Sequence, residues 1–473
     1  MGRHVHFIGI GGSGLSAIAT ILRERGEAVS GSDRQESLVT RKLQEAGVRV
    51  YIGHQPKNVA GADLVIRSSA VLDENVEVKA AHEAGIPVLK RVDFLEQLTG
   101  AQQPIAVAGT HGKTTTTAWI AWLLRRLGFD PSFVIGGVSL NLKGNAHDGQ
   151  GEYFVIEADE YDRMFLGLRP WIAVVTNVEY DHPDYYTTPL EFQQAFEAFI
   201  DRIQIGGTLL ACSDDPGAAS LLERSRRTGR RTLRYSVWDS QAEYFAKNAH
   251  PNLRGGYSFD FYRKGILVAK DVEPKVAGMH NVTNALAALG VADILGAPLV
   301  QAVRACEDFE GTGRRFELRG EVNGVIVIDD YAHHPTEIRA TLSAARARYP
   351  GRRIWTVWQP HTYSRTRALL GSFLKAFEDA DKVVITEVFA AREQAPADGF
   401  SGRNVADALA AARRNVDPTV FFEPELSGAG DFLLQALEPG DVVLVLSAGD
   451  ADQISTRLLD EYGAGKTAGK SPR

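Results

Sequence analysis

The stretch IAVAGTHGKTTTT, residues 105–117, decides the fold of the central part of this chain. Its first four residues are apolar and predict a buried parallel strand, and its glycine-containing turn leads into a helical pattern that reaches Leu127. The backbone N–H groups of such a turn, the helix N-terminus and Lys113 are suited to hold phosphate oxygens. Thr114 offers its hydroxyl to a magnesium ion. The stretch therefore predicts that the protein binds a nucleoside triphosphate.

This loop is shorter than the usual phosphate loop, because only two residues separate Gly109 from Gly112. The alternative is a chance Gly-Lys-Thr sequence on a surface turn. The strand pattern before the loop and the helix pattern after it favour the phosphate loop.

The bulk composition excludes several classes of protein. A length of 473 residues predicts about three domains, and a net charge of −7 argues against a broad basic surface for nucleic acid. The chain contains no apolar run of about 18 residues, and its beginning, MGRHVHFIGIGG, lacks the layout of a signal peptide. Its two cysteines, Cys212 and Cys306, predict unpaired thiols in a reducing compartment. We therefore expect a cytoplasmic protein with neither a nucleic-acid nor a membrane partner.

Two segments predict junctions between regions of the chain. Residues 98–104 are polar and contain glycine and proline, and residues 309–313 contain two glycines. In about the first 100 residues, short apolar runs alternate with helical patterns, which is typical of parallel α/β sheets. We expect domains at residues 1–102, 103–312 and 313–462, with a disordered tail at 463–473. Residues 232–272 alternate in polarity and predict an antiparallel edge.

A second glycine-rich turn, GIGGSG at residues 9–14, follows a predicted strand and opens a predicted helix. This is the pattern of a dinucleotide-binding loop, and Asp33 lies where an acid would meet a ribose or a base N–H. By itself the pattern favours a nicotinamide or flavin enzyme. The physical requirement is a pyrophosphate at a helix N-terminus, which a sugar-linked nucleoside diphosphate also meets. A glycine turn that binds no ligand remains the plain alternative.

Acidic residues follow two strands of the central region. EADE at residues 157–160 and Asp181 with His182 come directly after apolar runs, so we expect them at one edge of a parallel sheet. Carboxylates in this position predict a magnesium site that Glu157 and His182 share. A solvated acidic loop and a turn histidine before Pro183 are the alternatives.

Arginines and histidines of the last region also follow predicted strands or lie at the second junction. Arg315, at the second junction, is placed to reach a γ-phosphate when domains close, although it also fits a surface basic pair with Arg314. His333 and His334 follow a strand and point to a cleft; a zinc pair or a helix cap before proline are the alternatives. Arg365 has the fork that binds a small carboxylate.

In this order, seven motifs resemble the Mur ligase family across residues 4–460: GTHGKTTTT, EADE, TNVEYDH, GMHNVTNALAA, GRRFE, DDYAHHPTE and WQPHTYSRTR. The resemblance implies an α/β protein of three domains: an N-terminal Rossmann-like domain for a UDP-sugar, a central P-loop ATPase-type parallel sheet, and a C-terminal Rossmann-like domain for an amino acid. It implies that ATP, with Mg²⁺, phosphorylates the carboxylate of UDP-N-acetylmuramate and that L-alanine then displaces the phosphate, in peptidoglycan biosynthesis. A monomer or a weak homodimer is expected.

The resemblance also implies roles for single residues. The implied ATP site consists of Gly109, Thr110, His111, Gly112, Lys113, Thr114, Thr115, His280, Asn281, Asn284, Arg315 and Asp330. The implied UDP-sugar site consists of Gly11, Gly12, Ser13, Gly14, Asp33, Ser68 and Ser69. The implied amino-acid site consists of Tyr331, His333 and Arg365. The implied magnesium ligands are Thr114, Glu157 and His182, and the catalytic group comprises Lys113, His182, Arg315 and His333.

The chain departs from the family pattern at several places. Some members carry a carbamoylated lysine, whereas residues 145–246 contain no lysine, as in the alanine-adding branch. Tyr161 after EADE is similar to the ligase that reattaches a recovered tripeptide, which therefore remains an alternative. Thr362 replaces an arginine, and Ser447 begins SAGD in place of a glycine-led motif. Outside the family, an oxidoreductase that uses a nicotinamide cofactor and a nucleotide-gated scaffold protein remain as rival functions.

Overall fold

The computed structural model describes residues 2–413 and 419–465, and these contain three β-sheets with flanking helices. The strands of the first sheet are β1 His4–Ile8, β2 Ala28–Asp33, β3 Arg49–Ile52, β4 Leu64–Arg67 and β5 Val88–Lys90. Its helices are α1 Ser13–Glu24, α2 Leu38–Glu45, α3 Val76–Glu83 and α4 Arg91–Thr99, with a 3-10 turn at Pro56–Val59. The strands pair in parallel in the order β3-β2-β1-β4-β5. The glycine loop after β1 therefore opens where the strand order reverses, which is where such sheets bind ligands.

The second sheet has ten strands and contains the phosphate loop. Its strands are β6 Gln103–Ala108, β7 Ser132–Ser139, β8 Gly144–His147, β9 Tyr153–Glu157, β10 Ile172–Val175, β11 Thr208–Cys212, β12 Arg231–Ser236, β13 Tyr244–Pro251, β14 Tyr257–Arg263 and β15 Ile266–Val272. Its helices are α5 Lys113–Arg126, α6 Pro189–Asp201, α7 Pro216–Arg227, α8 His280–Ile294 and α9 Leu299–Glu307, with a 3-10 segment at Tyr161–Gly167. The order β15-β14-β13-β12-β11-β10-β6-β9-β7-β8 makes β6 the neighbour of both β9 and β10. Polar residues after these three strands consequently share one edge.

The third sheet is parallel except for its first strand pair. Its strands are β16 Glu317–Val322, β17 Val325–Asp330, β18 Ile354–Trp358, β19 Lys382–Ile385, β20 Val420–Phe422 and β21 Val442–Leu446, in the order β16-β17-β21-β18-β19-β20. Its helices are α10 Pro335–Arg348, α11 Tyr363–Ala368, α12 Leu370–Phe373, α13 Gly402–Ala412, α14 Leu426–Ala436 and α15 Asp452–Gly465. The three-part α/β architecture predicted from the sequence is confirmed.

The apolar run before the phosphate loop is buried on both faces of its sheet. Ile105 and Val107 pack in the core beneath α5 and α8, whereas Ala106 and Ala108 belong to the core on the other face. That second core continues into the first sheet through Val5 and Phe7. Burial on both faces explains why this strand is apolar without alternation.

Several sequence expectations differ from the structure in detail. Within the expected antiparallel edge at residues 232–272, β12 pairs in parallel with β11, and antiparallel pairing begins only between β13 and β14. The hairpin of β7 and β8 was not predicted. The junction at residues 309–313 is fixed to that hairpin, because Leu140 N–H donates to Gly311 O and Gly313 N–H donates to Val138 O, at 3.1 and 2.9 Å.

Two further expectations concern the cysteines and the chain end. Cys212 and Cys306 are buried and unpaired, as predicted. The final helix continues to Gly465, so it overlaps the first residues of the expected disordered tail, and the rest of that tail lies outside the described residues. Among the residues that the structure describes, no helix is long and apolar enough to cross a membrane.

Candidate functional site

The phosphate loop between β6 and α5 requires glycine at both of its glycine positions. Gly109 has φ +141°, and a Cβ there would lie 1.9 Å from Thr176 Oγ1. Gly112 has φ +78°, and a Cβ there would lie 2.8 Å from Asn284 Oδ1. These backbone conformations and close approaches exclude larger residues. The loop is thus shaped by β10 on one side and α8 on the other.

Lys113 is the first residue of α5, and its side chain turns back into the loop that precedes the helix. Its Nζ donates to the carbonyl oxygens of Gly109 and Thr110, at 2.5 and 3.0 Å, and to Glu160 Oε1 at 2.9 Å. Burial lowers the pKa of Lys113, but the negative charges of Glu160, Asp159 and Glu157 together outweigh burial and raise the pKa above its ordinary value. The ammonium group is therefore held charged next to the loop, as the predicted phosphate-binding role requires.

Thr114 and Glu157 form an oxygen pair beside the same loop. Thr114 Oγ1 donates to Glu157 Oε1 at 3.0 Å, and the Gly136 N–H donates to Oε2 at 2.7 Å. Burial raises the pKa of Glu157, opposed by the charge of Lys113. Hydroxyl and carboxylate oxygens are the ligands that Mg²⁺ prefers, so this pair fits the ion.

His182, the third expected magnesium ligand, has different neighbours. Its Nε2 lies 3.5 Å from Glu160 Oε1 and 3.8 Å from Asp181 Oδ2. Burial lowers the pKa of His182, but the carboxylates of Asp181 and Glu160 raise it above its ordinary value. The structure thus pairs His182 with Glu160, while Glu157 pairs with Thr114.

A buried ion pair connects the second and third sheets. Arg365 Nε donates to Asp181 Oδ1 at 2.7 Å and its Nη2 donates to Oδ2 at 3.3 Å, with both side chains less than 5% exposed. The sequence predicted that Arg365 binds a small carboxylate in this forked manner. In this structure the carboxylate that it engages is Asp181.

A cavity of about 360 Å³ opens between the second and third sheets, directly beside the phosphate loop. Expected ATP-site residues that line it are His111, Gly112, Thr115, His280, Asn281, Asn284, Arg315 and Asp330. The other four expected residues, Gly109, Thr110, Lys113 and Thr114, form the adjoining loop and helix start. Trp238, which is 79% exposed, also lines the cavity and offers an aromatic face to a base, although no sequence motif marked it.

Two residues at the end of β17, Asp330 and Tyr331, lie close to Arg315 of the second junction. Asp330 accepts the N–H groups of Phe316 and Ala332, both at 2.7 Å, and burial raises its pKa to about 6 against the charge of Arg315. The guanidinium of Arg315 lies 5.0 Å from the centre of the Tyr331 ring. Arg315, Asp330 and Tyr331 therefore form one cluster, of which Arg315 and Asp330 line the cavity.

His333 adjoins this cluster as a neutral imidazole. Its Nδ1 lies 2.9 Å from the Tyr331 carbonyl oxygen, to which it donates as the N–H tautomer, and its ring meets the Tyr331 ring edge to face at 5.5 Å. Burial lowers its pKa to about 4. His333 and Tyr331 are together as predicted for one amino-acid site.

Glu337, which the sequence analysis missed, joins the second and third sheets at the cavity. Its Oε1 lies 3.2 Å from His111 Nδ1 and 3.8 Å from Arg315 Nη1, and its Oε2 accepts the His333 N–H at 3.0 Å. Burial lowers the pKa of His111, but hydrogen bonds to Glu179 and Glu337 outweigh it and raise the pKa to about 9. Glu337 also completes the capping box of α10, and the spacing of HPTE carried that signal.

The glycine loop after β1 forms a second anion cradle. The N-cap of α1 is Gly12, and within the described chain it makes no side-chain capping bond and has no acid in the first turn of the helix. Ser13 is exposed there, and Ser68 at the end of β4 lies against Gly9. The Asp33 carboxylate accepts the Gly11 N–H at 2.8 Å and the Arg34 N–H at 2.7 Å. Ser69 is exposed beside Ser68.

Arg91 is a second residue that the sequence analysis missed. Its Nη1 lies only 1.6 Å from where a Cβ on Gly14 would be, so the guanidinium rests on the start of α1. Its Nη2 donates to Asp159 Oδ2 at 3.4 Å. A guanidinium and a helix N-terminus are both positive, and an anion between them would stabilise both. No local pattern marks Arg91, because it meets the loop only through packing.

Comparison with known proteins gives the family. Models of the Mur ligase family match consecutive parts of the chain: the family catalytic domain at residues 4–103, the middle domain at 107–292 and the glutamate ligase domain at 314–449. A UDP-N-acetylmuramate–L-alanine ligase of Pelotomaculum thermopropionicum is 43% identical over 448 residues, which is 95% of each chain. One from Geobacter sp. strain M21 is 42% identical over 464 residues, 98% of each chain.

Two solved structures are similar to this chain over almost its whole length. The crystal structure of a UDP-N-acetylmuramate–alanine ligase from Thermotoga maritima matches with a TM-score of 0.81 and 29% identity, over 98% of this chain and 99% of that one. A murein peptide ligase from Psychrobacter arcticus matches with a TM-score of 0.71 and 28% identity, over the same shares of the two chains.

Proposed function

This chain belongs to the Mur ligase family, and from that premise we propose that it joins L-alanine to the carboxylate of UDP-N-acetylmuramate. The proposed reaction consumes ATP, forms an acyl phosphate and releases ADP and phosphate, as a step of peptidoglycan biosynthesis. A carboxylate is a poor electrophile, and phosphorylation gives it a leaving group. Because no protein nucleophile is required, positioning and charge neutralisation carry the rate.

One observation carries this proposal: the loop at residues 157–160 contacts both anion cradles. On one side Glu157 accepts from Thr114 at 3.0 Å, and Glu160 accepts from Lys113 at 2.9 Å. On the other side Asp159 accepts from Arg91, whose guanidinium rests on the glycine loop of the first sheet. A triphosphate at one cradle and a sugar-linked diphosphate at the other would therefore approach each other across this loop, as transfer of a phosphoryl group requires.

The proposed roles at the triphosphate follow from charge and position. Lys113 binds the terminal phosphates, and Arg315 neutralises charge on the transferred group from the cavity wall. Thr114 and Glu157 would hold Mg²⁺, with His182, whose Nε2 lies 3.5 Å from Glu160 Oε1, as the third expected ligand. The bound ion would supply further neutralisation of phosphate charge. Asp330 would accept from the ATP ribose, and the start of α8, with His280, Asn281 and Asn284, would meet the adenine and its surroundings.

The proposed UDP-sugar site combines the predicted residues with Arg91. The pyrophosphate would rest on the start of α1 beside Gly11 and Gly12, where Ser13 and Gly14 offer N–H groups. Asp33 would meet the uridine, with Ser68 and Ser69 at the neighbouring strand end. Domain boundaries at residues 102 and 312, and action in the cytoplasm as a monomer or weak homodimer, belong to the same proposal.

The amino acid would bind beside Tyr331 and His333, with Arg365 near them. The ammonium group first loses a proton to water, and the free amine attacks the acyl carbon. The carbon–oxygen bond to phosphate then breaks, and the departing phosphate takes the second proton from the nitrogen. His333, held neutral by burial, is suited to accept a hydrogen bond from the amine through Nε2, because its Nδ1 is engaged by the Tyr331 carbonyl.

A phosphate-release assay tests the proposal. Purified protein, ATP, Mg²⁺ and UDP-N-acetylmuramate are combined with alanine, serine, glycine or the recovered tripeptide in parallel. We expect release that depends on alanine. Release with the tripeptide alone would transfer the assignment to the ligase that reattaches a recovered tripeptide. Binding of NAD(H) or NADP(H) in a fluorescence titration would instead favour an oxidoreductase, and nucleotide binding without any turnover would favour a scaffold protein.

A further inference from the structure

Three potential metal ligands from separate elements meet at the edge of the cavity. His111 follows β6, Glu179 follows β10, and His334 precedes α10 on the third sheet. One ligand atom from each residue lies within 4.8 Å of the other two. This cluster uses different side chains from the Thr114 and Glu157 pair proposed for Mg²⁺, and the proposed reaction assigns it no metal.

His111 and Glu179 already have the outer contacts typical of metal ligands. His111 Nε2 lies 3.1 Å from Glu179 Oε2, and its Nδ1 lies 3.2 Å from Glu337 Oε1. A carboxylate on the far nitrogen of a ligating histidine fixes the ring and its tautomer. Glu179 is oriented in turn, because its Oε1 accepts the Thr336 hydroxyl at 2.8 Å. Both ligands would therefore keep an outer-shell partner when a metal ion lies between them.

His334 provides the independent observation. The residue is 2% exposed, and its Nε2 has no hydrogen-bond partner among the described residues. Its ring centre lies 4.6 Å from that of His111. A buried polar atom without a partner costs about 1–3 kcal/mol, so it calls for an explanation. A metal ion would occupy this nitrogen.

Metal binding at His334 Nε2 changes how the start of α10 is capped. The proton would move to Nδ1, which now accepts the Thr336 N–H over a long 3.3 Å contact, and that contact would be lost. Glu337 Oε2 continues to accept the N–H groups of His333 and His334, at 3.0 and 3.3 Å. The helix start therefore keeps the other half of its capping box.

We propose that His111, Glu179 and His334 form a binding site for a divalent transition-metal ion of the zinc class, with water as the fourth ligand. Two imidazoles and one carboxylate are the ligand set that zinc favours, whereas Mg²⁺ prefers oxygen. On binding, His111 releases the proton at Nε2, and the charge of Glu179 partly neutralises the ion. The ion joins residues of the second and third sheets, so it restrains their separation at the nucleotide cavity.

Calorimetric titration of Zn²⁺ into the full-length protein, without a histidine tag and with excess Mg²⁺, tests the site. We expect one zinc ion per chain. His334→Asn retains a capping oxygen close to the position of Nδ1 but removes Nε2, and it should weaken zinc binding by about 100-fold. His250→Asn, at an exposed histidine of β13, is the matched control and should bind as the wild type does. Absence of zinc binding in the wild type, or equal binding by His334→Asn, would overturn the proposal.

A second variant and a spectroscopic probe test the zinc site without relying on His334→Asn alone. If His334→Asn does not fold, Glu179→Gln replaces it, because the amide still accepts from Thr336 while losing the charge. Co²⁺ in place of Zn²⁺ should give the strong visible absorption of a four-coordinate site with nitrogen ligands. A weak spectrum of the octahedral, oxygen-ligated type would contradict the assignment.

Discussion

Lys113 is the residue on which we expect the nucleotide chemistry to depend. Its ammonium group is held in the loop by two carbonyl oxygens and by Glu160, at the edge of the second sheet. The proposed UDP-sugar site lies on the first sheet. We expect Lys113→Ala to lower kcat at least about 1,000-fold, because loss of a charge-stabilising group in phosphoryl transfer has effects of this size.

The same variant should still bind UDP-N-acetylmuramate with nearly unchanged affinity. Phosphate release measures turnover, and calorimetry with the UDP-sugar measures binding. Equal loss of both would contradict the assignment of the two nucleotides to different sheets. Lys143→Ala, at a lysine outside the loop, serves as the control.

Arg91 offers a second test at the scale of one residue. Because its guanidinium rests on the start of α1, we expect Arg91→Ala to raise the KM for the UDP-sugar about 10- to 100-fold, the range for one hydrogen bond to a charged group. The KM for ATP should change little. Steady-state kinetics with each substrate varied in turn measures both constants, and Arg49→Ala, at an exposed arginine of β3, is the control. A higher KM for ATP alone would place Arg91 outside the pyrophosphate site.

At the scale of elements, the first turn of α10 connects two sheets through Glu337. Its carboxylate helps to raise the pKa of His111 to about 9 from an ordinary value of 6.5. A histidine with a raised folded-state pKa stabilises the protein fully below pH 6.5 and loses that contribution as the pH rises through 9. Glu337→Gln should remove part of this stabilisation by the charged His111.

We expect Glu337→Gln to lower the free energy of unfolding by about 1–2 kcal/mol at pH 6 and by much less at pH 10. Denaturant unfolding at the two pH values measures this difference, and an NMR titration should show a lower pKa for His111 in the variant. Glu310→Gln, at an exposed glutamate paired with Lys275, is the control. The same loss at both pH values would mean that the effect comes from the helix cap and not from the ion pair.

The hairpin of β7 and β8 shows why some elements escape sequence analysis. These strands have short or mixed polar patterns, and Gly136 and Gly137 interrupt the first of them. The position of β7 is fixed by its pairing with β9, and that of β8 by its pairing with β7. Two hydrogen bonds to the junction add to this, from the Gly313 N–H to the Val138 carbonyl and from the Leu140 N–H to the Gly311 carbonyl. The long apolar strands carry their own signal because both of their faces are buried.

For the whole molecule, the buried pair of Asp181 and Arg365 couples the second sheet to the third. Removing one partner would leave an uncompensated buried charge, which typically costs about 3–5 kcal/mol. We expect Arg365→Ala and Asp181→Ala each to lower the temperature of unfolding and kcat. The double variant should lose less than the sum of the two single losses.

A double-mutant cycle of thermal unfolding measures this coupling. Steady-state kinetics with the alanine concentration varied separates the coupling of the two sheets from substrate binding. If Arg365 also binds the carboxylate of the amino acid, Arg365→Ala should raise the KM for alanine more than Asp181→Ala does. Additive effects on stability would show that the pair does not couple the sheets. Arg367→Ala, two residues along the same helix and paired with exposed Asp398, is the control.

The sequence by itself predicted the α/β class, the loop between β6 and α5, and eight of the residues that line the cavity. It did so because strand, turn and helix signals are local, and because parallel strands bring whatever follows them to a common edge. Lys113, Glu157, Arg315 and Asp330 all follow strands or a junction that the sequence marks.

Only the tertiary structure decided which side chains meet. Arg91 reaches the glycine loop of the first sheet, and Glu337 and Trp238 reach the cavity, from elements far away in the chain. No spacing rule encodes these approaches. Arg365 forms an ion pair with Asp181, and His182 lies beside Glu160, because the packing of separate sheets sets the partners of a buried charge. A contact between distant segments depends on how whole layers pack, whereas a local pattern reports only the path of the chain near itself.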